Sequence, residues 1–112
     1  MNNIKFAKFL EAIDVKDTEV REDYSNSYPQ TLLKLNLEKP LKFELETKNG
    51  FCVFISDSIE LLSKDKTIDF LIDGFPQRTF NLDDVSKIGF SSITMTEYEK
   101  ELDSYLDEFE FV

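Results

Sequence analysis

The chain has no histidine and no tryptophan, and only one cysteine, three glycines and three prolines. Lacking histidine, it lacks the commonest general base and the commonest metal ligand. Cys52 cannot form an internal disulfide, which fits a reducing cytoplasm, the expected location. It sits in the apolar run FCVFI with no cationic activator beside it, so it reads as an inert thiol rather than a nucleophile. Gly50, Gly74 and Gly89 are too scattered to cradle a phosphate, and zinc would need clustered cysteine or histidine. Asp57, Asp65, Asp69 and Asp73, and the pair Asp83-Asp84, lack the alternating spacing of a calcium loop. We therefore expect no catalytic residue, no cofactor and no bound metal, and no enzyme activity. Apolar runs fall well short of the ~18–20 residues that span a bilayer. The first residues, MNNIKFAKFLEAI, hold too short an apolar stretch for a secretion signal, and Glu11 interrupts it.

Positive charge is also scarce, and unevenly so. The net charge is −10. Residues 1–50 hold nine acidic and eight basic side chains, whereas residues 51–112 hold fourteen and five. A phosphate backbone is bound by cations that release its counterions, so direct nucleic-acid binding is disfavoured. Anionic membrane surfaces are disfavoured for the same reason. A basic protein is the electrostatically favoured partner.

What the chain has in quantity is aromatic and alternating apolar sequence. Hydrophobic residues make up 41% of its 112 positions, with eleven phenylalanines and four tyrosines. That suits one core, hence a single domain over 1–112. NIKFAKFLEAI places Ile4, Phe6, Ala7, Phe9, Leu10 and Ile13 near a 3.6 period and predicts a short helix. Residues 14–30 show no sustained period. Their length predicts a strand, a turn or a packed loop within them. Tyr24 and Tyr28 there suit a loop pinned by its tyrosines, or one that contacts a partner.

From Thr31 the period becomes two. Leu33, Leu35 and Leu37 alternate with Lys34 and Asn36, and after Pro40 so do Leu41, Phe43 and Leu45 with Lys42, Glu44 and Glu46. The segment TKNGFCVFIS predicts a hairpin. A three-residue loop, Lys48 to Gly50, would pair Leu45 with Val53 and Phe43 with Ile55, with Gly50 in a bulge at positive φ. Ile59 and Leu61 can face Ile68 and Phe70 across a turn. Asp73-Gly74 makes the next turn, Asp83 caps a single helical turn, and a last short strand runs from Lys87 to Phe90. Thr94 with Glu97, or Thr96 with Glu99, offers a capping box for a final helix striped by Tyr98, Leu102, Tyr105, Leu106 and Phe109.

These elements predict an α+β domain. A twisted antiparallel sheet of five to six strands, able to roll toward an SH3- or Sm-like half-barrel, is flanked by an N-terminal and a C-terminal helix. The expected core is Phe6, Phe9, Leu10, Leu35, Phe43, Leu45, Val53, Ile55, Ile68, Phe70, Leu102 and Leu106. Aspartate at Phe43 or Val53 is expected to unfold the domain.

Residues 97–112 carry seven acids and one lysine. Acids at i,i+4 cost a helix a few tenths of a kcal/mol each, which points to a partner as well as to a solvated face. The expected partner-binding residues are Glu97, Glu101, Asp103, Asp107, Glu108 and Glu110, then Asp65, Asp69 and Asp73, with Tyr24 and Tyr28. The expected function is inhibition of a basic nucleic-acid-handling protein, such as a nuclease, by carboxylates occupying its cationic groove. In composition the chain resembles the DNA mimics and anti-CRISPR proteins of phages and other mobile elements, but no motif carries that resemblance and no residue transfers with it. An immunity protein against a basic toxin would use the same electrostatics. An oligomerising adaptor is the reading from another class, and a homodimer is compatible with all three.

Overall fold

Period-two alternation builds the central element, an 18-residue strand β2 from Gln30 to Thr47. In chain order it follows helix α1 (Asn3–Ala12) and strand β1 (Val15–Asp23). It precedes β3 (Gly50–Leu62), β4 (Thr67–Ile72), β5 (Phe75–Asn81), a 3-10 turn (Leu82–Asp84), β6 (Val85–Ser92) and helix α2 (Met95–Phe109). The structure is a computed structural model describing residues 3–23, 30–63 and 66–109, with side chains placed for 5–22, 30–63 and 66–104. All pairings are antiparallel, in the order β1-β2-β3-β4-β5, with β6 added to β2. The result is an α+β fold around a twisted, unclosed six-stranded sheet.

The two alternating runs either side of Pro40 are one strand with a bulge. Asn36 pairs with Ser58 and Leu41 with Ser56, so residues 37–40 stand against Asp57 alone. Proline, which has no N–H to donate, is tolerated at such a break. Before the bulge β2 lies between β1 and β3, and after it between β6 and β3. The bend is visible in the core. Strands two apart in a flat sheet lie roughly 10 Å from each other, yet the Phe43 ring on β2 and the Phe70 ring on β4 approach to 4.9 Å. Ser56, wholly buried at the bend, places Oγ 2.8 Å from the Ser58 carbonyl and 2.6 Å from that of Leu71. It supplies a donor where the ladder is interrupted.

Phe9, Leu35, Phe43, Leu45, Ile68 and Phe70 are buried in the core, with Phe6 and Leu10 packed against it. Val53 departs from expectation, being 42% exposed. The hairpin turn is Lys48-Asn49, two residues, so Thr47 pairs with Gly50, Leu45 with Cys52 and Phe43 with Phe54. Gly50 does take a positive φ of 143°. Thr47 Oγ1 accepts from Asn49 N–H at 3.2 Å and lies 3.3 Å from the Gly50 carbonyl, which sets the tight turn. The segment FCVFIS is apolar on both alternations, and ring size decides between them. Burying Phe54 against Phe43, Phe70 and Phe80 removes more apolar surface than burying Val53 would.

Two further expectations are corrected. Leu102 is half-buried and outside the core, because α2 lies apart from the phenylalanine cluster; the Leu106 side chain is outside the described residues. The 3-10 turn is capped by Asn81, whose side chain accepts from Asp83 N–H at 2.9 Å, so Asp83 is inside the turn. Of the alternatives open for residues 14–30, residues 15–23 take the strand, an edge strand on β2 whose register shifts between Val15 and Asp17. Lys48 closes the hairpin tip against this turn, 2.9 Å from Asp84 Oδ1. That hydrogen bond, and then the charge of Asp84, raises the lysine pKa above its usual value.

Candidate acidic binding surface

Cross-strand register places carboxylates in a row across the solvent face of the sheet. Glu19 on β1 pairs with Lys34 on β2, Lys34 with Glu60 on β3, Glu60 with Asp69 on β4, and Asp69 with Thr79 on β5. Partners opposite one another point to the same side with Cβ atoms about 5 Å apart. On the other side of these strands lie Leu35, Ile59 and Phe70, so burial of that face fixes which way the acids point. Glu60 and Asp69 are like charges directly opposed, an arrangement that costs stability. Asp69 Oδ1 and Gln77 Oε1 are buried without a hydrogen-bond donor among the described residues. At the β1 end, Asn36 donates to Asp17 at 2.6 Å and Glu19 at 3.4 Å, and Arg21 lies 3.6 Å from Glu19.

Helix α2 adds its acids beside this row. Thr94 caps it through the expected box: Glu97 N–H donates to Thr94 Oγ1 at 3.1 Å, and the Glu97 carboxylate receives the Thr94 hydroxyl at 3.3 Å. Two contacts moor the helix. Tyr98 O–H donates to Asp57 Oδ2 at 2.6 Å, and Gln77 on β5 donates to Glu101 at 3.3 Å. Asp57 also receives the Asp73 N–H at 2.9 Å, which holds the β4–β5 turn in place. Asp73 takes a left-handed φ of 50°, a conformation aspartate tolerates better than most residues. Burial first, and then the hydrogen bond and charge of Asp57, push the Tyr98 phenol well above its ordinary pKa.

The expected residues therefore divide. Glu97 is committed to the cap and Glu101 to Gln77, whereas Asp103 and the neighbouring Glu99 are exposed. Asp73 meets the helix anchor through Asp57, and Asp69 stands in the cross-strand row. Asp107 and Glu108 fall on α2 backbone with side chains outside the described residues; Glu110, Asp65, Tyr24 and Tyr28 lie outside them altogether. Sequence reasoning missed Glu60 and Glu19. Glu60 was within reach, since pairing Ile59 and Leu61 with Phe70 and Ile68 puts Glu60 opposite Asp69. Glu19 was hidden because β1 alternates no apolar residues.

Among the described residues no cluster of three or more acidic or cysteine side chains is placed to hold a metal ion. Burial raises the Cys52 thiol pKa, with Arg78 pulling the other way, so the thiolate is disfavoured. No described helix is long and apolar enough to cross a membrane. No family model matches the chain, and no curated protein or solved structure matches it.

Proposed function

We propose that this protein binds and inhibits a basic nucleic-acid-handling protein in the cytoplasm, its carboxylates standing in for phosphates in a cationic groove. The observation that carries the proposal is the cross-strand row Glu19–Lys34–Glu60–Asp69, three carboxylates to one lysine, beside exposed Glu99 and Asp103. Directly opposed carboxylates at Glu60 and Asp69 are a cost to the free fold that incoming guanidinium or ammonium groups would offset. The rigidity of a hydrogen-bonded sheet keeps that spacing fixed, so little ordering entropy is lost on binding. The same surface would serve an immunity protein, and the identity of the bound target distinguishes the two.

The test is affinity capture from host lysate at low and high salt. Wild type is compared with a folded variant carrying Glu19→Lys, Glu60→Lys, Glu99→Lys and Asp103→Lys. This design spares Glu97 and Glu101, whose carboxylates hold α2. Retention of a basic nuclease or DNA-binding protein that salt releases and the variant fails to hold is the expected result. Equal retention by the variant would remove the proposal's support.

A further inference from the structure

We infer that the free edge of β3, from Phe51 to Ser56, is a pairing surface for a second copy of this chain. The inference is independent of the acidic surface. Along its first half β3 pairs with β2 alone, and β4 joins its other side only from Ser58 onward. Residues 50–57 thus present one unpaired strand edge among the described residues. Phe51 and Val53, pointing outward beside that edge, are 64% and 42% exposed.

The sheet's other edges carry the devices that block pairing. Strand β1 bears Lys16, Asp17, Glu19, Arg21 and Glu22, and β5 bears Pro76 and Arg78. Strand β6 bears Lys87, with Lys5 and Lys8 of α1 across a groove from it. The β3 edge bears none of these itself, and Arg78 of β5 lies close enough to act on the Cys52 thiol. FCVFIS is uncharged, free of proline and rich in β-favouring residues, the pattern of an edge that pairs.

A second copy fits this edge by symmetry and by charge. Antiparallel pairing about a two-fold axis at Val53 sets Phe51 against Ile55 and Cys52 against Phe54, and both strands extend into one ladder. Such an interface is isologous, each copy offering the same patch. The outward Phe51, Val53 and Ile55 of both copies become one apolar stripe. Two chains of charge −10 repel, and this uncharged stretch is where they can meet. A five-residue ladder is small, below ~1,200 Å² of buried surface, which places the dimer in the weak, reversible class.

Sedimentation velocity over a concentration series reaching high micromolar tests the proposal. Wild type should shift from monomer to dimer, more readily at high salt because salt screens the repulsion. Val53→Lys should weaken association at least tenfold, whereas Val20→Lys, at a still more exposed position on β1, should behave as wild type. Hydrogen exchange on wild type gives a readout that needs no variant: amides within 51–55 should exchange more slowly at high concentration than at low. A monomer throughout, equal association by Val53→Lys, growth past the dimer, or concentration-independent exchange would each overturn it.

Discussion

At the scale of single residues, neighbouring positions on the paired strands β2 and β3 have opposite fates. Phe43 is fully buried between the rings of Phe9, Phe54 and Phe70, and Val53 faces solvent. Phe43→Ala should cost ~3–5 kcal/mol by emptying that space, and Phe43→Asp should abolish the cooperative melt. Val53→Asp, in contrast, should melt within about 1 kcal/mol of wild type in urea titration. Gly50→Ala places a side chain at a φ of 143°, where no neighbour blocks it but the backbone is strained. It should lose roughly 1–3 kcal/mol through the turn alone. Which of Val53 and Phe54 turns inward was not legible from alternation, because both parities of FCVFIS are apolar. The decision belongs to ring packing with Phe70 and Phe80, which lie more than fifteen positions away in sequence.

At the scale of elements, legibility followed the strength of the apolar pattern. Strands β2, β3 and β4 alternate clearly enough that even the pairing of Ile59 with Phe70 could be read from the sequence. Strand β1, VKDTEVRED, could not be, since it owes its existence to the ladder on β2 and not to a buried face. Helix α2 was legible in extent and cap, but not in seat. Among the described residues two side-chain hydrogen bonds hold it to the sheet, and the one from Tyr98 makes it sensitive to alkali. The Tyr98 phenol has its folded pKa raised, so its contribution is complete below the unfolded value of about 10 and is lost as pH climbs through the folded one. Urea titration at pH 9 and at pH 12 should show stability falling by more in wild type than in Tyr98→Phe, because the unfolded phenol ionises in that range before the folded one does. Tyr98→Phe should itself cost about 1 kcal/mol at neutral pH. Thr94→Ala should cost a similar amount by removing the cap.

At the scale of the molecule, a bent strand and an uneven charge distribution determine what surface is available. The bulge at residues 37–40 folds the sheet around its phenylalanines and leaves the opposite face to carboxylates. The composition alone pointed to a basic partner, and the acidic helix was the obvious place to look for the contact. The register moves part of that surface onto the sheet, to Glu19, Glu60 and Asp69, which no sequence motif marks. The most direct measurement is displacement: titrate the protein into a complex of the captured basic protein with a fluorescently labelled DNA duplex, and follow anisotropy. Competition for the cationic groove predicts release of the duplex by wild type, and no release by the variant bearing lysine at 19, 60, 99 and 103. If wild type bound the target and left the duplex in place, the carboxylates would not be occupying the nucleic-acid groove, and the central claim would be wrong.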